Sequence, residues 1–121
     1  MNTFEELEAW RKAREFRIAV SKLCAKFPTD EKFALTIQTK RSSRSVTNNI
    51  AEGFGRFHFQ ENIQFCRISR GSLTETLDHL IVALDECYIT QEELTEMRLK
   101  YDVCLKILNG YISYLKRAKN E

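Results

Sequence analysis

Eight basic side chains recur at positions that helical spacing turns outward: Arg11, Lys12 and Arg14 near the start of the chain, Lys40 and Arg44 further on, Arg56 just after Gly55, and Arg67 and Arg70 beyond it. Clustered lysine and arginine neutralise phosphates, and such a surface makes a salt-sensitive contact with RNA that is weakly selective for sequence. The competing reading is a solvated helix surface, balanced by Glu5, Glu6, Glu8, Glu15 and the acids towards the C-terminus. Formal charge is only +2, so a nucleic-acid role must rest on a local patch and not on basicity of the whole chain. No motif presenting aromatic platforms for RNA bases stands out.

Other chemistries find less support. Carboxylate bundles that hold two metals use Glu-x-x-His pairs, but Gly55 lies three residues before His58 and Thr76 three before His79. Glu75 and His79 share a helix face, as an ordinary surface pair does. Cys24, Cys66, Cys87 and Cys104 are widely spaced and lack the Cys-x-x-Cys pairing of most structural zinc sites. Three of them, Cys66, Cys87 and Cys104, fall on an apolar stripe, where thiols are inert small hydrophobes. The expectation is therefore no catalytic residue, no metal and no cofactor.

The most distinctive polar feature is a stripe at three- and four-residue steps, Gln38, Ser42, Ser45, Asn49 and Glu52, flanked by Arg41. It reads either as a binding groove or as a satisfied hydrogen-bond network that fixes how two helices meet; burying so many polar groups without partners would cost several kcal/mol, which favours the network. Gly71 interrupts another periodic run, where glycine costs about 1 kcal/mol relative to alanine, so Gly71 and Ser72 are expected to mark a tight helix crossing. Phe54, Phe57 and Phe59 crowd one connector. A cap over the end of a bundle or a subunit interface would hide them.

These residues need long helices to place them. In 121 residues, 43% hydrophobic and 30% charged, a single proline and four glycines interrupt the chain, which suits one all-α domain. Leu7, Trp10, Ala13, Phe16, Val20, Leu23 and Phe27 predict a helix over about 4–27, opened by a Thr3–Glu6 capping box and stopped by Pro28. A second, over about 31–53, begins near Asp30 as N-cap, includes Phe33, Leu35, Ile37, Val46 and Ile50, and stops at Gly53 or Gly55. Ile63, Cys66, Arg70, Leu73, Leu77, Leu80, Leu84 and Cys87 give a third over about 60–87. A Thr90–Glu93 capping box opens the fourth, over about 91–117, on Leu94, Met97, Tyr101, Cys104, Leu108, Tyr111 and Leu115. Short connectors make neighbours antiparallel, so the expected fold is an up-and-down four-helix bundle. No apolar run approaches the roughly twenty residues of a membrane span, and the acidic N-terminus is unlike a signal peptide; the expected location is the cytoplasm.

Motifs inside these helices carry a resemblance. Leu7-x-x-Trp10-x-x-Ala13, Phe27-Pro28, Glu31-x-Phe33-x-Leu35-x-x-Gln38, Arg41-x-x-x-Ser45-x-x-x-Asn49-Ile50-Ala51-Glu52-Gly53-x-Gly55-Arg56 and Gly71-Ser72-x-x-Glu75 resemble, in order from about Phe4 to Ile89, the four-helix-bundle proteins named for the intervening sequence of bacterial 23S ribosomal RNA. That resemblance implies a small bacterial, non-enzymatic protein that assembles as a homopentamer. Similar too is the accessory protein of diversity-generating retroelements, a basic pentameric barrel that binds RNA and a reverse transcriptase. The matching positions Gln38, Arg41, Ser45, Asn49, Glu52, Gly53, Arg56, Gly71, Ser72 and Glu75 form a structural motif that the family does not establish as RNA contacts. Two departures stand out: His58 occupies a place where a serine cap is common, and the charge is mild. The reading that follows is an oligomeric RNA-binding or accessory module, and its alternative is a protein–protein scaffold with no nucleic-acid role.

Overall fold

The computed structural model describes residues 2–120. After a 3-10 turn at Phe4–Glu6, four helices follow: α1 Glu8–Cys24, α2 Leu35–Gly55, α3 Phe59–Asp85 and α4 Gln91–Lys119. Each packs on its two neighbours in a closed ring, α1 on α2, α2 on α3, α3 on α4 and α4 back on α1, while the diagonal pairs stay apart. With short connectors this is the antiparallel all-α four-helix bundle that the apolar spacing predicts. Among the described residues no strand occurs, and no helix is long and apolar enough to cross a membrane.

Phe16, Val20, Val46, Ile50, Ile63, Leu73, Leu80 and Leu108 are fully buried and fill the bundle's centre. Such side chains contribute roughly 1.5–3 kcal/mol each when removed from water. The α4 start forms the expected capping box: Glu93 N–H donates to Thr90 Oγ1 at 3.2 Å and Thr90 N–H to Glu93 Oε1 at 2.9 Å. Lys26 reaches across from the end of α1 to the same Glu93 carboxylate, and its hydrogen bond, with that of the Thr90 backbone, holds the carboxyl below its ordinary pKa.

Several helix ends differ from the spacing. Leu7 adopts an extended backbone (φ −72, ψ 126) and divides the first segment into the 3-10 turn and α1; Thr3 caps that turn through Glu5 N–H at 3.4 Å, and not through a reciprocal pair with Glu6. The extended backbone lets Leu7 fold under the bundle, where it is buried. Beyond Pro28 the chain makes a second 3-10 turn at Thr29–Glu31 and enters α2 only at Leu35. Phe33 lies in that passage and is 87% exposed. Cys87 lies past the end of α3 with φ 65 and is exposed, so it does not belong to the core stripe.

The polar stripe of α2 is a seam against α3. Ser42 Oγ meets Thr76 Oγ1 at 2.7 Å and Ser45 Oγ meets Ser72 Oγ at 2.8 Å. Ser69 Oγ donates to the Val46 carbonyl at 2.7 Å, and Asn49 Nδ2 donates to Ser45 O and Oγ at 2.8 and 2.9 Å. Among the described residues every buried side-chain nitrogen and oxygen has a partner, so the small hydroxyls let the backbones approach without the desolvation penalty of unmade bonds. Gln38, Arg41 and Glu52 are exposed and stand outside the seam.

The tight crossing lies elsewhere than expected. Gly71 faces outward, and no atom lies within 4 Å of where its Cβ would be. The close approach is at Gly53, where a Cβ would come within 2.7 Å of Asn62 Oδ1 and 2.9 Å of Phe65 Cβ. Ser72 lies further along the α2–α3 seam, against Ser45, and Gly71, the next residue, is rotated away from it to face outward.

Candidate nucleic-acid interface

Helical rotation sorts the eight predicted basic residues into separate surfaces. On the side where α1 meets α2, Lys40 and Arg44 rise from α2 opposite Arg17 and Lys22 of α1. The four surround a depression of about 350 Å³ completed by Ile18, Ser21 and Ser43, with no carboxylate among its walls. Arg17 Nη1 donates to Thr47 Oγ1 at 3.0 Å, which pins one guanidinium across the α1–α2 boundary. Next to it, sharing Ile18, is a second depression of about 510 Å³ formed by Trp10, Arg11, Arg14, Glu5 and Glu15. Arg14 stacks over the Trp10 ring at 5.7 Å, a contact that orients the guanidinium without neutralising it. Arg11 Nε donates to the Glu5 carbonyl at 2.8 Å.

The remaining predicted cations stand apart from this face or are already engaged. Lys12 pairs with Glu15 at 3.2 Å. Arg56 pairs with Glu52 at 2.9 Å and lies over the Phe65 ring at 5.1 Å; the hydrogen bond from its guanidinium to Glu52 raises its pKa further. Arg70 Nη1 donates to Asn109 Oδ1 at 2.8 Å, on the seam between α3 and α4. Arg67 is exposed on the outer face of α3, the face that also carries Gly71 and Glu75.

Arg17 and Lys22 are the residues that sequence reasoning passed over. Lys22 follows Arg14 and Ile18 in steps of four, so one α1 face carrying Arg11, Arg14, Ile18 and Lys22 was visible in the spacing. Arg17 lies on the turn nearer α2, and only the α1–α2 packing brings it to Lys40 and Arg44.

The geometry offers nucleophiles and metals little. Burial pushes the thiols of Cys24 up to about 11, and of Cys66 and Cys104 up to about 12, so they remain protonated at neutral pH. His79 Nε2 and Glu75 Oε2 form an i,i+4 pair at 3.2 Å. Among the described residues no three His, Cys, Asp or Glu side chains gather as a metal site would require.

The family model described as 23S rRNA-intervening sequence protein matches residues 5–110. No curated protein matches the chain. Among solved structures, the chain is similar to a crystal structure of a protein with unknown function from the S23 ribosomal protein family of Bacteroides thetaiotaomicron VPI-5482, with a TM-score of 0.79 at 24% identity, covering 87% of this chain and 95% of that one. At that identity the likeness speaks to the fold.

Proposed function

The chain belongs to the 23S rRNA-intervening sequence protein family, and on that premise we propose that it is a non-catalytic, homo-oligomeric RNA-binding module of the bacterial cytoplasm. The observation that carries the reading is the α1–α2 face, where Arg17, Lys22, Lys40 and Arg44 surround one depression without an opposing carboxylate. Four cations so placed attract a phosphate backbone through counterion release, and the adjoining Arg14 and Arg11 extend the track along α1. If all four neutralise phosphates of a single strand, log K falls against log salt with a slope of about −3.

Assembly multiplies such a patch, because linked copies raise effective concentration. Support for assembly comes from the outer face of α3. Gly71 sits in the middle of a 27-residue helix, costs about 1 kcal/mol relative to alanine, and meets nothing within its own chain. Exposed Ile68, at 53%, lies on the same face. A second copy approaching there would account for both, and five copies is the number that the family resemblance implies.

Titration of the purified chain with a structured RNA and with a single-stranded RNA, at two or more salt concentrations, tests the contact. The double variant K40E/R44E is expected to weaken binding at least tenfold at low salt and to make the slope shallower by about 1.4, two phosphates' worth for a single strand, while K100E, at an exposed lysine of α4, leaves both close to wild type. Absence of binding even at low salt, or equal loss in K100E, overturns the RNA reading, and nuclease-insensitive capture of a protein partner would then favour the scaffold. Light scattering that returns a monomer at every concentration overturns the homopentamer.

A further inference from the structure

At the end of the bundle opposite Pro28, the α2–α3 connector, the start of α1 and the last turns of α4 enclose an open groove of about 790 Å³ that shares no residue with the cationic face. Two of its residues are locally unfavourable choices. Phe57 holds φ 53 just beyond the end of α2, in the left-handed region where a bulky side chain is strained and glycine is the usual occupant. Phe57 is 86% exposed, so beyond its contact with Phe54 little packing within the chain offsets that strain. Gly110 lies inside the 29-residue α4, and no atom stands within 4 Å of where its Cβ would be. Packing in this chain does not require a glycine there; its effect is to deepen the groove.

The walls are aromatic. Phe54 and Phe57 meet with ring centroids 6.0 Å apart, and Tyr111 and Tyr114 stack at 6.3 Å with planes 14° apart. Tyr111 is held by Asn62, another lining residue, whose Nδ2 donates to its hydroxyl at 3.0 Å. Among the lining residues Glu8 is the sole carboxylate and none is a lysine or arginine. Within the described residues no hydrogen bond or ion pair engages the Glu8 side chain. Ring faces carry negative charge density and attract cations, most of all beside a carboxylate. The volume is that of a small-molecule pocket, with apolar walls and few polar groups.

We propose that this groove binds an organic cation with an apolar body, an alkyl- or arylammonium, with its charge against Glu8 and the ring faces and its body in the space that Gly110 leaves open. A neutral apolar ligand would leave Glu8 unused, and an anion would be repelled by it. The occupant is thereby distinct in charge from the RNA assigned to the α1–α2 face, and either reading can fail without the other.

The test uses phenethylammonium and the neutral 2-phenylethanol as probes of matched size, followed by amide shifts of Gly110, Tyr111 and Tyr114. Saturable shifts with the cation bound about fivefold tighter than the alcohol are expected, the preference that one exposed cation–π contact with a nearby carboxylate gives. G110L should abolish binding of both probes without lowering the melting temperature, and F57G should weaken binding while raising thermal stability. E8Q should keep the alcohol and lose the preference for the cation. No saturable shift, equal affinity for both probes, or undiminished binding in G110L overturns the proposal, as do shifts in the same residues that depend on protein concentration alone, which would mean that a second copy fills the groove.

Discussion

Replacing Gly53 by alanine adds one methyl group where α2 and α3 come closest. Its carbon would stand 2.7 Å from Asn62 Oδ1, 2.9 Å from Phe65 Cβ and 3.2 Å from the Asn62 carbonyl oxygen, against an ordinary separation of about 3.5–4.0 Å. Phe65 Cβ and the carbonyl belong to or adjoin the α3 backbone, and Asn62 is tied to Tyr111, so the helices themselves must part by about half an ångström or more. Overpacking of this kind costs about 1–3 kcal/mol, while the helix gains about 1 kcal/mol from losing a glycine. With three atoms inside contact distance the cost falls at about 2–3 kcal/mol, and the net expectation for G53A is a loss of about 1–2 kcal/mol. The same substitution at Gly71 meets open space and should add about 0.5–1 kcal/mol. Urea unfolding, done at a dilution where the chain is monomeric, reads both as shifts in midpoint at unchanged slope. Equal or greater stability in G53A, or a comparable loss in G71A, would refute the assignment of the tight crossing to Gly53.

Removing one side of the hydroxyl seam should be costlier than its small size suggests: S42A leaves Thr76 without the contact at 2.7 Å and is expected to lose about 1–2 kcal/mol by denaturation, whereas S21A, an exposed serine on α1, changes stability by less than about 0.5 kcal/mol. Alkylation of the folded chain near pH 8 should modify a single thiol, at exposed Cys87, and all four after unfolding, counted by mass spectrometry; rapid loss of two or more would contradict the burial of Cys24, Cys66 and Cys104. Because those three fold with pKa values raised from 9.0 to about 11–12, the folded chain holds their protons more tightly than the unfolded one. Their contribution is therefore full below about pH 9 and is lost as pH rises towards 12, and a C66A/C104A variant should show a flatter alkaline limb in thermal melts. At the acid end the sign reverses for Glu93, whose lowered pKa makes its contacts a stabilising influence that fades as pH drops below its ordinary value; K26A should blunt that fall.

The long apolar repeats of α3 and α4 were plain in the sequence, because an unbroken three-and-four spacing over seven turns has few other solutions. So was the polar stripe of α2, whose Ser42 and Ser45 form the hydroxyl seam, though not that α3 is the helix they meet. What periodicity does not report is which neighbour a position faces. Gly53 and Gly71 both interrupt helices, yet one meets α3 and the other faces outward, and nothing short of the packed pair distinguishes them. Phe33 fits the apolar spacing that leads into α2, four residues before Ile37, but the 3-10 turn after Pro28 changes the phase and leaves it exposed. Cys87 continued the α3 repeat on paper and fell beyond the helix end for the same kind of reason. The cationic face shows the limit most clearly. Lys40 and Arg44 could be read as neighbours on one helix, but their proximity to Arg17 and Lys22 depends on the angle at which α1 lies against α2.

The hydroxyl seam also has a mechanical meaning. Were α2 to slide by one turn along α3, the Ser42–Thr76 and Ser45–Ser72 pairs would break together, and Ser69 would lose the Val46 carbonyl. Ser42 and Thr76 would keep their bonds to carbonyls of their own helices but lose each other, so the pair resists shear more than an apolar interface of equal area, where one methyl group substitutes readily for another. α3 is keyed to α4 in the same way, through Asn62 with Tyr111, Arg70 with Asn109 and Thr74 with Tyr101. Across the α1–α2 boundary, where the cationic face lies, the side-chain hydrogen bond from Arg17 to Thr47 is the one such tie among the described residues.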